Sequence, residues 1–105
     1  MFALLGAVLL TGCSEEAPIS SQKMEDFLVD YYTLEGALRY AQRSNKSLDR
    51  NAVYADFIKD HGYTVEQVDS AFAYWGARPR EYKKIYDKVV ERLEKKRDEV
   101  ASQLE

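Results

Sequence analysis

Between residues 21 and 93 the apolar side chains return every third or fourth position, and no stretch alternates strictly between apolar and polar. That spacing puts one apolar stripe on each helix and leaves nothing that reads as a half-buried strand. A chain so patterned must pack helix against helix. Five glycines and two prolines in 105 residues are too few for the turns of a β-sandwich and agree with this reading. The expectation is an all-α, small four-helix bundle-like domain.

The first helix is expected over 21–43, with Met24, Phe27, Leu28, Tyr31, Leu34, Leu38 and Ala41 on one stripe. Ser20 or Ser21 caps its start, and Ser44-Asn45-Lys46-Ser47 ends it as a polar turn. The second begins at Asp49, an N-cap, buries Val53, Tyr54, Phe57 and Ile58, and stops at His61-Gly62. Thr64-x-x-Gln67 reads as a capping box for the third, with Tyr63 and Val68 as its hydrophobic staple. Val65, Val68, Phe72 and Trp75 mark the inner side of that helix. The fourth runs from Pro79, suited to a first helical position, to Leu104. Its seam is Tyr82, Ile85, Tyr86, Val89, Val90 and Leu93, after which only Val100 and Leu104 continue among charged residues. At ~38 Å it outruns its neighbours. Its last turns should project, as a solvated helix or as a docking surface for a partner.

Ahead of this domain stands Phe2-Ala-Leu-Leu-Gly-Ala-Val-Leu-Leu10. The run is too short to span a bilayer and has the length of the hydrophobic region of a secretory signal. It ends in Leu10-Thr11-Gly12-Cys13, which resembles the lipobox of bacterial lipoproteins. The absence of Lys or Arg before the run departs from that class, whose signals start positive. The resemblance implies a diacylglyceryl group on the Cys13 sulfur, cleavage between Gly12 and Cys13, and an N-acyl chain such as palmitate on the freed amine. One acyl chain binds a membrane only marginally, whereas two or three hold permanently. The domains expected are therefore a signal peptide over 1–12, a lipidated Cys13 with an acidic linker over 13–20, and a helical domain over 21–105. Ser14-Glu15-Glu16 also resembles a weak form of the surface-export signal of Bacteroidetes lipoproteins. Ser at the position after the cysteine favours the outer membrane over the inner.

Little in the chain points to catalysis. Cys13 is the lone cysteine and His61 the lone histidine, so multi-cysteine metal sites and disulfide frameworks are excluded. His61 sits in a last helical turn, where the helix dipole favours an imidazolium. No Glu-x-x-His, Gly-rich phosphate loop, His-Glu-x-x-His or Gly-x-Ser-x-Gly occurs. No catalytic residue, metal or cofactor other than the lipid is expected. The candidate polar positions are Asp30, Glu35 and Asp69, which are expected to pair with tyrosine hydroxyls such as Tyr82 and Tyr86 in a buried polar network. The net charge of −3, and a third helix carrying Glu66 and Asp69 with no Lys or Arg over 65–77, argue against nucleic acid.

Several segments recur together in one family. They are the lipobox, Lys23-Met24-x-x-x-Leu28-x-Asp30, Phe57-Ile58-Lys59-Asp60-His61-Gly62-Tyr63-Thr64, Val68-Asp69-Ser70, and Pro79-x-x-Tyr82-x-x-Ile85-Tyr86-x-x-Val89. With them the chain resembles the small Bacteroidetes lipoproteins catalogued as domain of unknown function 4296. Arg78 stands before Pro79 where that family has Asn more often. The resemblance implies a helical envelope lipoprotein and carries over no catalytic residue. The functional expectation is a non-enzymatic accessory protein of the envelope, which binds the membrane through lipid and another envelope protein through its helices. A glycan- or lipid-binding tyrosine-rich pocket is the alternative, and an enzyme using Asp30, Glu35 or Asp69 comes last. A fatty-acid analogue fed to producing cells should label the wild-type protein and leave Cys13→Ser unlabelled, as read by in-gel fluorescence.

Overall fold

The protein is described over residues 16–104 in a computed structural model. Its helices are α1 (Ser21–Ser44), α2 (Arg50–Asp60), α3 (Val65–Gly76) and α4 (Pro79–Leu104), with no strand among the described residues. The all-α expectation holds. The signal segment over 1–12, Gly12 and Cys13 lie outside the described residues.

Local chemistry sets each boundary. Ser20, in extended backbone, accepts from the Lys23 amide at 3.4 Å and opens α1. Beyond α1, the Asn45 side-chain oxygen accepts from both the amide and the hydroxyl of Ser47, at 3.2 and 2.7 Å, which closes a tight polar turn. Asp49 then caps α2 through the Ala52 amide at 3.2 Å. The far end of α2 is a Schellman motif: Gly62 N–H donates to Lys59 O at 2.9 Å and Tyr63 N–H to Ile58 O at 3.1 Å. Gly62 has φ +81°, so a side chain there would be strained.

The capping box at α3 is only half made. Thr64 Oγ1 accepts from the Gln67 amide at 3.0 Å, but the Gln67 side chain does not turn back to Thr64. Its amide donates instead to Pro18 O at 3.1 Å. Arg78 explains itself at the other end of this helix. Its Nη1 donates to Tyr74 O at 3.0 Å and its guanidinium lies 3.6 Å from the centre of the Tyr74 ring. The cation thus closes the C-terminus of α3 just where Pro79 begins α4.

α1 packs chiefly on α4, and the two are antiparallel. Glu25 and Asp26 meet Arg92, whereas Tyr32, further along α1, meets Tyr86, further back along α4. The core between them and α3 contains Met24, Phe27, Leu28, Val68, Ala71, Trp75, Ile85 and Val89. α2 lies over the aromatic side of this core. Phe27 contacts Phe57, His61 and Tyr63 with ring centres 5.3–5.8 Å apart, distances suited to tilted and edge-on pairs.

Four expectations about burial are corrected. Ile19, assigned to the linker, is 2% exposed and belongs to the core, with Ala17 packed against it. Its carbonyl accepts from the Trp75 indole at 3.0 Å, a buried bond that seats residues 17–19 as a strap across α3. Val65, expected on the inner side of α3, is 50% exposed, whereas Val68, three positions on, is buried. Tyr86 stands 47% exposed at the edge of the α4 seam. The apolar face of α2 is only partly buried, since a helix laid on the rim of a small core covers its rings without being enclosed.

The strap makes a measurable contribution. Ile19→Ala should destabilise the protein by about 2–5 kcal/mol. Trp75→Phe should cost about 1–3 kcal/mol by leaving the buried Ile19 carbonyl unpaired. Tyr40→Ala, at an exposed position, should stay within about 0.5 kcal/mol. Urea unfolding of the three variants checks the order.

Candidate functional site

Two side-chain assemblies stand out on the surface. The first is a tyrosine patch. Tyr32 of α1 meets Tyr86 of α4 edge-on at 6.3 Å, and Tyr82 lies one turn before Tyr86. Behind them Tyr31 contacts Tyr32 at 5.4 Å, Tyr54 at 5.7 Å and Phe72 at 6.2 Å. The helical repeat places Tyr82 and Tyr86 on one face of α4, and the antiparallel register brings Tyr32 beside them. Burial, and then the neighbouring tyrosines, push the Tyr32 and Tyr82 hydroxyls above the usual phenol range. They stay protonated donors at neutral pH. The hydroxyls of Tyr32, Tyr82 and Tyr86 bond to no other described residue, and no buried side-chain polar atom lacks a partner.

The second assembly ties α2 to α1 at both ends. Arg50 donates to Glu35 at 2.6 Å, to Gln42 at 2.7 Å and to the Tyr54 hydroxyl at 3.3 Å. At the other end the His61 ring packs 4.4 Å from Phe57. Its Nδ1 faces the Phe57 carbonyl at 2.9 Å and its Nε2 faces Asp30 Oδ2 at 3.0 Å. With an acceptor at each nitrogen, only the doubly protonated ring donates to both.

These contacts replace the expected buried polar network. Among the described residues no polar or charged side chain is buried. Asp30 takes His61 as partner and Glu35 takes Arg50, in place of tyrosine hydroxyls. Asp69 is exposed on α3, Tyr82 is half-buried, and Tyr86 is at the surface. A small core leaves carboxylates room to reach water, and long cations reach them at its rim more cheaply than a hydroxyl inside. The tyrosines fill space against one another, while an open groove of 1040 Å³ between α1 and α4 is walled by charged side chains over Trp75 and Ile85.

Sequence reasoning placed His61 at a helix end but missed Asp30 as its partner, and it missed Arg50 altogether. A signal was present for the latter. A cation in the first turn of a helix opposes the dipole and calls for an acid elsewhere. Among the described residues no group of three or more His, Cys, Asp or Glu side chains converges as metal ligands. No described helix is long and apolar enough to cross a membrane.

The His61 contacts give stability a pH dependence. Burial opposes charge on the ring, but the hydrogen bonds to Asp30 and Phe57 and the charges of Asp30 and Asp60 outweigh it and raise its pKa above the usual 6.5. A raised folded pKa stabilises fully below the unfolded value and loses that contribution as pH rises through the folded one. Asp30→Asn should therefore lower the melting temperature more at about pH 5.5 than at about pH 8.5. Thermal unfolding of both proteins across that range measures it.

No curated protein and no solved structure matches the chain significantly. A family model matches residues 16–99, which take in the strap, all of α1, α2 and α3, and α4 as far as Glu99. The chain therefore belongs to the family described as Domain of unknown function (DUF4296).

Proposed function

We propose that this protein is a non-enzymatic accessory module of the bacterial cell envelope. Lipid on Cys13 holds it at a membrane, and contacts with another envelope protein carry out its role. The observation that carries this reading is the patch of Tyr32, Tyr82 and Tyr86. Its rings are amphipathic, and Tyr86 is half exposed. Tyrosine is enriched at protein interfaces because it supplies large contact area and a donor at low entropic cost.

The carboxylates available for acid–base work are either paired or exposed. Asp30 binds His61 and Glu35 binds Arg50, while Asp69 stands in water. That arrangement favours scaffolding over a shared reaction centre. The placement we favour is the outer membrane of a Bacteroidetes cell, with the domain facing the periplasm. Display at the cell surface is the alternative, and protease shaving of whole cells separates the two.

Cross-linking in native membranes followed by purification of the full chain tests the interaction. Wild type should retain a protein partner. Tyr86→Ala should weaken that retention by about 30-fold, the effect of removing a hot-spot side chain worth ~2 kcal/mol. Recovery of no partner from wild type would overturn the reading. Retention of saccharide alone would replace it with the glycan-binding alternative.

A further inference from the structure

We infer that the last turns of α4 form a second membrane contact, with Val100 and Leu104 entering the headgroup region of the bilayer that holds the lipid of Cys13. This rests on the lipid-anchored reading proposed above.

The pairing of α1 with α4 puts the tail and the segment that leads to the anchor at one end of the body. The pairing of Glu25 and Asp26 with Arg92 sets the start of α1 beside the point where α4 leaves the core. α3 meets the segment ahead of α1 both in its first turn, through Gln67, and in its last, through Trp75. The Gln67 amide in its first turn holds the Pro18 carbonyl. The chain that leads back to Cys13 therefore departs from the end where α4 projects.

The reaches agree. Cys13 lies four positions before Ala17, and extended chain covers at most ~3.6 Å per residue, so the bilayer surface lies within ~14 Å of the body. All of residues 94–104 are exposed. At 1.5 Å per residue this stretch extends ~16 Å past Leu93. A body drawn to the membrane by its anchor brings that tail to the same surface.

The tail has the chemistry for an interface. Val100 is 51% and Leu104 84% exposed, one turn apart on one face. They continue the stripe of Leu93, which packs on the core. A three-turn helix without tertiary support is marginal in water, and burial of these two side chains would hold it. Glu94, Asp98 and Glu99 balance Lys95, Lys96 and Arg97. The tail is thus neither drawn to nor repelled by an anionic surface. The same run disfavours a second copy as the occupant. Two chains anchored in one membrane would pair their tails in parallel, with like charges opposed.

The test uses lipidated full-length protein in vesicles of phosphatidylethanolamine and phosphatidylglycerol containing nitroxide-labelled lipid. With the Cys13 sulfur occupied by lipid, Val100→Cys, Leu104→Cys and Tyr40→Cys each offer one thiol for an environment-sensitive fluorophore. Tyr40 is 76% exposed near the far end of α1 and serves as the control. Probes at 100 and 104 should shift to the blue and be quenched by the labelled lipid, whereas the probe at 40 should do neither. Fatty-acid labelling is read on the same preparations. A labelled protein whose 104 probe behaves like the 40 probe overturns the contact and leaves the anchor standing. Self-quenching between 104 probes without lipid quenching assigns the tail to a second copy and also overturns it. Absence of fatty-acid label overturns the anchor and the contact together.

Discussion

The buried hydrogen bond from the Trp75 indole to the Ile19 carbonyl fixes how the chain enters its own core. It joins positions 56 apart in sequence and seats Ile19 beside Met24 and Phe27 in the same cluster. Without it the segment before α1 would keep only the Gln67–Pro18 bond and the apolar contacts of Ile19 to hold it on the body. With it, residues 17–19 become part of the domain. Any tether to Cys13 shrinks to a few residues, and the end of the bundle from which it leaves is defined. Burial of an indole requires such an acceptor, because an unpaired N–H inside a core costs more than the bond itself supplies.

Around that apolar centre the polar chemistry is confined to the rim. Arg92 spans Glu25 and Asp26, Arg50 spans Glu35 and Gln42, and His61 reaches Asp30. Exposed pairs of this kind each contribute little to stability. Their effect is positional: they set the α1–α4 register and pin both ends of α2. That helix depends on them more than the others do, since it has no fully buried residue among those described. Charge at the rim and aromatic rings beneath it together hold α2 over Phe27.

The same division shapes the surface offered to partners. Apolar stripes that run further than the core can cover leave Tyr86 half exposed and continue to Val100 and Leu104. The tyrosine patch lies along the body and the projecting tail at one end, so a protein and a membrane could be met on separate faces. A short domain with a long last helix has this geometry built in, because its core closes at Leu93 while the helix goes on.

Much of the fold was legible in the chain. Helical spacing, the Ser20, Asp49 and Thr64 caps, and Gly62 are local signals, and local signals survive whatever the tertiary context. The Tyr32–Tyr86 contact, the Asp30–His61 pair and the Arg50 clasp were not legible, although Arg50 in a first turn hinted at an acid elsewhere. Asp30 lay close to an apolar stripe and read as a buried polar residue, and only its place at the rim showed it free to meet His61. Ile19, a single apolar residue after Pro18, carried no periodicity to mark it as core. Sequence alone determined the number, type and limits of the helices, because caps and stripes act over a few residues. Tertiary structure decided the strap, the pairings and the exposed faces, because each depends on which residues distant in sequence the packed helices bring within bonding distance.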